Sequence, residues 1–325
     1  MKLRKLGRSG PSVSALGLGC MGMSALYGPA DEKESLATIH AALEAGISLL
    51  DTGDFYGMGH NETLVRQAIQ GRRDQAFVCV KFGAQRSPDG QFVGVDTRPA
   101  SVKNFLAYSL QRLGTDYIDL YQPARVDRSV PIEDTVGAIA DMEKAGYVRC
   151  IGLSEASVET LRRANSIHPI AALQIEYSII TRDIESDVMP ALRKLGVGVT
   201  AYSVLSRGLL AGKTSSFARG DFRAHLPRFA AENLQANLKI IEALKQISAE
   251  RRITVSQLCI AWAINRGEDI IPLIGARTRA QLQEALGAVD ISLTGSELER
   301  IEKAVPVNAV AGTRYGAEQM AMLNG

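Results

Sequence analysis

Residues 117–154 read YIDLYQPARVDRSVPIEDTVGAIADMEKAGYVRCIGLS, and the fold class turns on this stretch. It begins with a short β-rich run, 117–122, and ends with another, 149–154. Between them, 132–145 carries apolar residues at helical spacing and stops at Gly146, a residue suited to the positive φ that follows a helix. Two apolar strands separated by a covering helix form a parallel unit, because antiparallel neighbours need only a tight turn.

The same unit recurs in both directions. Further β-rich runs lie at 15–20, 47–52, 77–82, 172–177, 197–203 and 270–275, making eight in all. Helical patterns follow them at 34–45, 62–70, 101–113, 158–164, 184–195, 254–265 and 279–288. Gly46, Gly114 and Gly196 stand at helix ends, while Asp31, Asn61, Ser157 and Thr278 are candidate N-caps. One longer gap, between the seventh and eighth runs, holds a Gly/Ser/Arg-rich loop at 206–230, read as a lid, and an extra helix at 231–250.

Eight apolar strands, each followed by a helix, predict an α/β fold: a single (β/α)8 TIM barrel over residues 1–325, with an N-terminal β-hairpin, the insertion before strand eight and a C-terminal tail at 307–325. The rival is a doubly wound sheet, supported by Gly17-Leu18-Gly19-Cys20-Met21-Gly22. That motif needs a helix opening inside the loop to receive a pyrophosphate. Here Tyr27-Gly28-Pro29 breaks the chain before any helix begins, so the match is accidental.

With 46% apolar and 22% charged residues, the composition is that of a globular protein. Lys+Arg 37 against Asp+Glu 35 leaves +2, with the charges interspersed, so neither nucleic acid nor a membrane surface is an expected partner; a small molecule is. Cys20, Cys79, Cys150 and Cys259 form no closely spaced pair, which fits a reducing cytoplasm. The uncharged stretch 9–30 contains five Gly and two Pro and is not read as a membrane helix. No H-E-x-x-H or C-x-x-C spacing points to a metal.

In a barrel of this kind the site lies at the C-terminal ends of the strands. The polar residues there are Asp51, Lys81, Gln122, Ser154, Glu155, Gln174, Tyr202 and Ser203, with Asp54, Tyr56 and His60 in the second loop. A phenol with an ordinary pKa of about 10 is a weak proton donor near neutrality unless a cation lies close by. Lys81 is the expected cation, and Asp51 the group that holds it charged. The trio suits general-acid work on a carbonyl being reduced.

The block Leu49-Leu50-Asp51-Thr52-Gly53-Asp54-Phe55-Tyr56-Gly57 joins several others: Leu6-Gly7-Arg8-Ser9-Gly10, Lys81 closing strand three, Asp119-Leu120-Tyr121, Ile151-Gly152-Leu153-Ser154, Gln174 to Ser178, and Ile271-Pro272-Leu273-Ile274-Gly275-Ala276-Arg277. Together, in order and spacing from about residue 3 to 305, they resemble the aldo-keto reductases. The resemblance implies a barrel that reduces aldehydes and ketones with NADPH, reversibly and without metal. It implies Tyr56 as proton donor, with Lys81 and Asp51 tuning it. For NADPH/NADP+ it implies a site built from Gly19, Cys20, Met21, Asp51, Ser154, Gln174, Tyr202, Ser203, Leu205, Arg207, Gly275, Arg277, Gln281 and Glu284. Within that set, Ser154 and Gln174 would hold the carboxamide, Tyr202 would stack on the nicotinamide and Arg277 would pair with the 2′-phosphate.

Three positions depart from the family pattern. Ala124 stands where a catalytic histidine is usual, Glu155 where Asn follows the Ser, and Ala285 where Asn follows the helix Glu. The alanine opens space, which favours a bulky cyclic ketone as the small-molecule carbonyl substrate. Two other functions are weighed: a nicotinamide-binding regulatory subunit or redox sensor with little turnover, as the family's potassium-channel β subunits illustrate, and a Schiff-base enzyme using Lys81.

Overall fold

Eight parallel strands close into a barrel because each buries both faces, one against the barrel interior and one against its helix. The computed structural model describes residues 1–24, 26–212, 217 and 220–325. The chain opens with the hairpin β1 (Leu3–Lys5) and β2 (Ser12–Ser14). The first two barrel units are β3 (Gly17–Gly19) with α1 (Glu32–Glu44), and β4 (Leu49–Gly53) with α2 (His60–Ile69). After β5 (Phe77–Phe82) a second hairpin, β6 (Ala84–Arg86) and β7 (Phe92–Val95), precedes α3 (Pro99–Leu113). Three units follow: β8 (Ile118–Pro123) with α4 (Ile132–Lys144), β9 (Val148–Ser154) with α5 (Val158–Ile167), and β10 (Ile170–Glu176) with α6 (Val188–Leu195). β11 (Gly198–Tyr202) leads through the inserted α7 (Ala231–Glu250) to α8 (Val255–Ile264), and β12 (Ile270–Gly275) to α9 (Arg279–Leu286). Two further helices, α10 (Gly295–Ala304) and α11 (Ala317–Met320), end the chain.

The barrel closes where β12 pairs with β3, Leu273 opposite Gly17 and Gly275 opposite Gly19. Gly17 is needed there: a Cβ would lie 2.5 Å from Leu273 and 2.7 Å from Leu49. The first glycine of the triplet read above therefore serves barrel packing, and a single 3₁₀ turn, Met21–Met23, follows the strand. At the base, Leu6 and Val13 of the first hairpin join Leu49, Phe77, Leu120, Ile271 and Leu273 in one buried cluster. Arg4 fastens the hairpin by donating to the carbonyls of Ile264, Gly267 and Ile270 at 2.8, 3.0 and 2.5 Å.

Two local readings are corrected. Asn61 is no cap: it is buried, its side chain accepting from Thr52 at 2.7 Å and donating to the Cys20 carbonyl at 2.9 Å, while Gly59 at φ 94° precedes the helix. α6 begins at Val188, because 183–185 form a 3₁₀ turn and Asp187 caps the helix. The hairpin β6–β7 and helix α10 were not read from the sequence. Of the expected lid, residues 213–216, 218 and 219 lie outside the described residues; Leu226, Arg228 and Phe229 are buried against the barrel. No helix among the described residues is long and apolar enough to cross a membrane.

Just beyond β4, Asp54 is buried with Oδ1 unpartnered, and Oδ2 receives only a 3.4 Å bond from the Gly83 amide. Burial, reinforced by the nearby Glu62 carboxylate, pushes Asp54 up to about 7 from an ordinary 3.8. A carboxyl raised on folding supports the fold fully at low pH and loses that support as pH climbs through its folded value. Wild-type stability should therefore fall between pH 4 and pH 8, with up to about 4 kcal/mol of the fall due to Asp54. Asp54→Asn removes the ionisation while keeping the shape. Urea unfolding midpoints of the variant should change less across that interval; an unchanged slope would assign the pH dependence elsewhere.

Candidate active site

The site grows from the C-terminal ends of β4, β5 and β10. Lys81 faces Gly53 in the register of β4 and β5, which brings its ammonium over the interior of the barrel mouth. Its Nζ donates to both oxygens of Asp51 at 2.6 Å, and both residues are buried. Gln174 on β10 adds a third bond, Nε2 donating to Asp51 Oδ1 at 2.7 Å. Asp51 is thus fixed from two sides, and the ion pair it forms is nearly dry.

Tyr56 is turned toward this pair by an abrupt bend. Gly57, Met58 and Gly59 are consecutive left-handed residues, with φ of 57°, 54° and 94°. At Gly59 a Cβ would sit 2.7 Å from Arg112 Cδ, so the bend needs the glycine for space as well as for φ. Lys81 Nζ lies 5.2 Å from the centre of the Tyr56 ring, and Phe55 packs edge-on at 4.7 Å. Burial pushes the Tyr56 phenol well above its ordinary value and Asp51 adds to the rise, whereas the Arg125 guanidinium pulls it back. The Lys81 charge lies beside the ring but is engaged by Asp51, and Arg125 is a second cation, one that opposes the rise of the phenol.

Around Tyr56 opens a cleft of about 450 Å³, within the range of small-molecule sites. It extends from Tyr56 and Lys81, past Ser154, Gln174, Tyr202, Ser203 and Leu205, to Gly275, Arg277, Gln281 and Glu284. Gly19 and Met21 also line it. Its far end carries a cation: Arg277 Nη1 donates to the carbonyls of Tyr27 and Pro29 at 3.0 and 3.3 Å, with no carboxylate within 4.0 Å among the described residues. Gln281 Oε1 accepts from the Arg277 amide at 2.9 Å and holds the turn. A cleft with a neutralised ion pair and a phenol in one part, and in another a guanidinium that no described carboxylate approaches within 4.0 Å, fits a phosphorylated dinucleotide. Gly275 fits it too, since a Cβ there would meet no atom within 4 Å.

Several expected residues are also engaged within the protein. Cys20 is fully buried, its thiol pushed up by burial, and its side chain lies in the core. Its amide donates to the Asp51 carbonyl at 2.9 Å. Arg207 lines the cleft, but its guanidinium is paired with Glu176 at 3.0 Å. Gln122 is fully buried, with both amide atoms unpartnered, and Gly152 leaves the room its side chain occupies. Glu284 accepts from Thr254 Oγ1 at 2.9 Å. His60 has its Nδ1 2.9 Å from Ser24 Oγ and its Nε2 3.5 Å from Glu32, outside the cleft. Glu155 is buried at φ 52°, accepts from Tyr202 Oη at 2.7 Å and pairs with Arg314 at 3.2 Å, so the departure at this position is a tie between strand end and tail. Ala124 does reach the cleft, presenting only a methyl group.

Sequence reasoning missed Arg86, Phe92, Arg125, Tyr315, Gln319 and Met322, all of which line the cleft. Ser87-Pro88-Asp89-Gly90 between two short apolar runs was a readable turn signal for the hairpin that carries the first two. The tail residues had no such signal. Among the described residues, no group of three or more His, Cys, Asp or Glu is placed to hold a metal ion.

Comparison with known proteins agrees with this geometry. The model of the Aldo/keto reductase family matches residues 15–306. "Probable aldo-keto reductase 1" from Glycine max is 42% identical over 318 residues, covering 96% of this chain and 91% of its own. Among solved structures, the glycerol dehydrogenase from Gluconobacter oxydans superimposes with a TM-score of 0.85 at 28% identity, covering 93% of this chain and 94% of its own. An aldo/keto reductase from Klebsiella pneumoniae in complex with NADP and acetate does so at 0.75 and 25%, covering 96% and 100%. The closed barrel, the buried trio at its mouth and these matches establish that the chain belongs to the aldo/keto reductase family.

Proposed function

We propose that this oxidoreductase interconverts carbonyl compounds and alcohols, with Tyr56 supplying the proton when an aldehyde or ketone is reduced. The cofactor is NADPH in that direction and NADP+ in the other; when bound, it supplies or takes up the hydride at the carbonyl carbon. The observation that carries the reading is the buried Lys81–Asp51 pair beside Tyr56, with Arg277, which no described carboxylate approaches within 4.0 Å, lining the same cleft.

Each side chain has a definable part. Burial keeps the Tyr56 phenol protonated through the neutral range, so the proton is in place when a carbonyl arrives. As negative charge develops on the carbonyl oxygen, the phenol gives up its proton, and the phenolate left behind faces the Arg125 charge. The Lys81 ammonium, 5.2 Å from the ring centre, stabilises the same phenolate, and Asp51 holds Lys81 in position. Ser154, Gln174 and Tyr202 line the same cleft, and the reading assigns the first two to the carboxamide and the third to stacking on the nicotinamide ring. Ala124 contributes space rather than a second donor. With Phe55, Phe92 and Met322 nearby, that space suits an aromatic or cyclic body. The lack of a donor at Ala124 is also the observation that favours a second reading, a nicotinamide-binding regulator with little turnover. Steady-state consumption of NADPH with a panel of activated aldehydes and cyclic ketones separates the two.

Tyr56→Phe keeps the buried ring and removes the donor. Turnover should fall by about a hundredfold or more, with cofactor affinity nearly unchanged. Near wild-type reduction by this variant would remove Tyr56 from the mechanism.

Arg277→Ala should weaken NADPH far more than NADH, because only the former carries the 2′-phosphate. The loss of one charge-assisted pair corresponds to about 1.5 to 3 kcal/mol, or about tenfold to more than a hundredfold in Kd. Fluorescence titration with both cofactors measures it; equal losses would refute the phosphate contact.

A further inference from the structure

The cations lining the cleft are not equally neutralised. Lys81 is clasped by Asp51 at 2.6 Å, Arg207 by Glu176 at 3.0 Å and Arg223 by Asp221 at 2.6 Å. Arg277 stands at the far end. At the Tyr56 end, Arg86 and Arg125 have no carboxylate within 4.0 Å among the described residues. Arg86 donates only to the Gly90 carbonyl of its own hairpin, at 3.2 Å, with its guanidinium 5.7 Å from the Phe55 ring centre and 5.9 Å from that of Phe92. Arg125 donates to the Ala124 carbonyl at 2.6 Å and lies 5.8 Å from the Tyr315 ring centre.

Both guanidiniums line the same cleft as Tyr56. Arg125 opposes the rise of the Tyr56 phenol, and Tyr56 in turn raises Arg86 against the lowering that burial imposes. Arginine cannot lose its proton at neutral pH; burial works against both charges, but Arg125 is supported by Tyr315, Tyr202 and the Glu155 carboxylate, so the charge of Arg86 in this aromatic pocket is the one that gains most when an anion enters. Their planar forks match a carboxylate, bidentate, better than a neutral oxygen.

We infer that the substrate of this cleft is a carbonyl compound that also bears a carboxylate, held by Arg86 and Arg125 while the carbonyl faces Tyr56. This rests on the carbonyl-reductase reading and adds the substrate class. The aromatic walls at Phe55, Phe92 and Tyr315 take the body between the two groups.

The test compares para-carboxybenzaldehyde with its methyl ester, substrates alike in ring and aldehyde and different in charge. With NADPH at low ionic strength, wild-type kcat/KM should favour the acid at least tenfold, and the advantage should shrink as salt is added. Arg86→Met and Arg125→Met keep length and remove charge; each should cut the acid-to-ester ratio severalfold, mainly through KM for the acid. Should Arg125→Met not fold, Arg86→Met and the salt dependence carry the same comparison. Equal use of acid and ester, or a ratio untouched by substitution and salt, overturns the inference and leaves carbonyl reduction standing. Turnover of neither aldehyde counts against carbonyl reduction itself. Calorimetry of terephthalate with the NADP+-loaded protein then reads the anion site directly: binding that is lost in Arg86→Met supports it, and no binding overturns it.

Discussion

Two buried carboxylates, Glu155 and Glu176, organise the mouth of this barrel. They stand at the ends of neighbouring strands, and the structure offers them partners from segments made much later in the chain. Glu176 pairs with Arg207 at 3.0 Å and Arg228 at 2.9 Å, and accepts from Thr181 at 3.1 Å. Burial alone would push this carboxyl up; the guanidiniums of Arg207 and Arg228 hold it below its ordinary range. Glu155 takes Arg314 from the tail and the Tyr202 hydroxyl. Removing one partner from such a buried pair typically costs 3–5 kcal/mol, because the other charge is left stranded. The insertion and the tail are therefore fastened to the strand ends, and the cleft wall that includes Leu205 and Tyr315 is part of the folded core.

This arrangement divides the charges at the mouth into two kinds. Those that hold the wall together are each paired, Arg207 and Arg228 with Glu176 and Arg314 with Glu155, and Lys81 is paired with Asp51. Arg86, Arg125 and Arg277 have no such match within 4.0 Å among the described residues. A matched pair sets shape, while an unmatched cation sets what enters. The electrostatic character of the cleft is thus carried by three arginines drawn from a hairpin, a strand exit and a helix entry.

The strands and helices were legible because their burial imposes period. β5 and β12 lie where the apolar runs 77–82 and 270–275 place them, and α7 spans the amphipathic stretch 231–250. The trio Asp51, Tyr56 and Lys81 was legible because chain ends of parallel strands converge. What escaped had no period or no local cause. β6 and β7 are three and four residues long and stand outside the barrel, too short for alternation to register. Asn61 has the composition of a cap, but a tertiary bond to Thr52 claims its side chain. Arg125 follows a strand end that carries no charge pattern of its own, so its approach to the cleft of Tyr56 is set by the barrel and not by local sequence. Tyr315 reaches the cleft from a tail whose sequence is irregular, held there by a 3.0 Å contact with Tyr202 across more than a hundred positions.

The hairpin at the base has a consequence for the order of events in synthesis. Arg4 reaches carbonyls of residues 260 and 266 positions further along, and Leu6 and Val13 pack on Ile271 and Leu273 of the last strand. Gly7, at φ 68°, fits against the carbonyls of Ala171 and Gly196, where a Cβ would come within 2.4 Å. At ribosomal speeds of about 5–20 residues per second, the carbonyl partners of Arg4 emerge roughly 13 to 50 seconds after the hairpin itself. Until then the floor of the barrel is open, and the apolar residues of the hairpin have no permanent place. The first strands to be made are among the last to be locked.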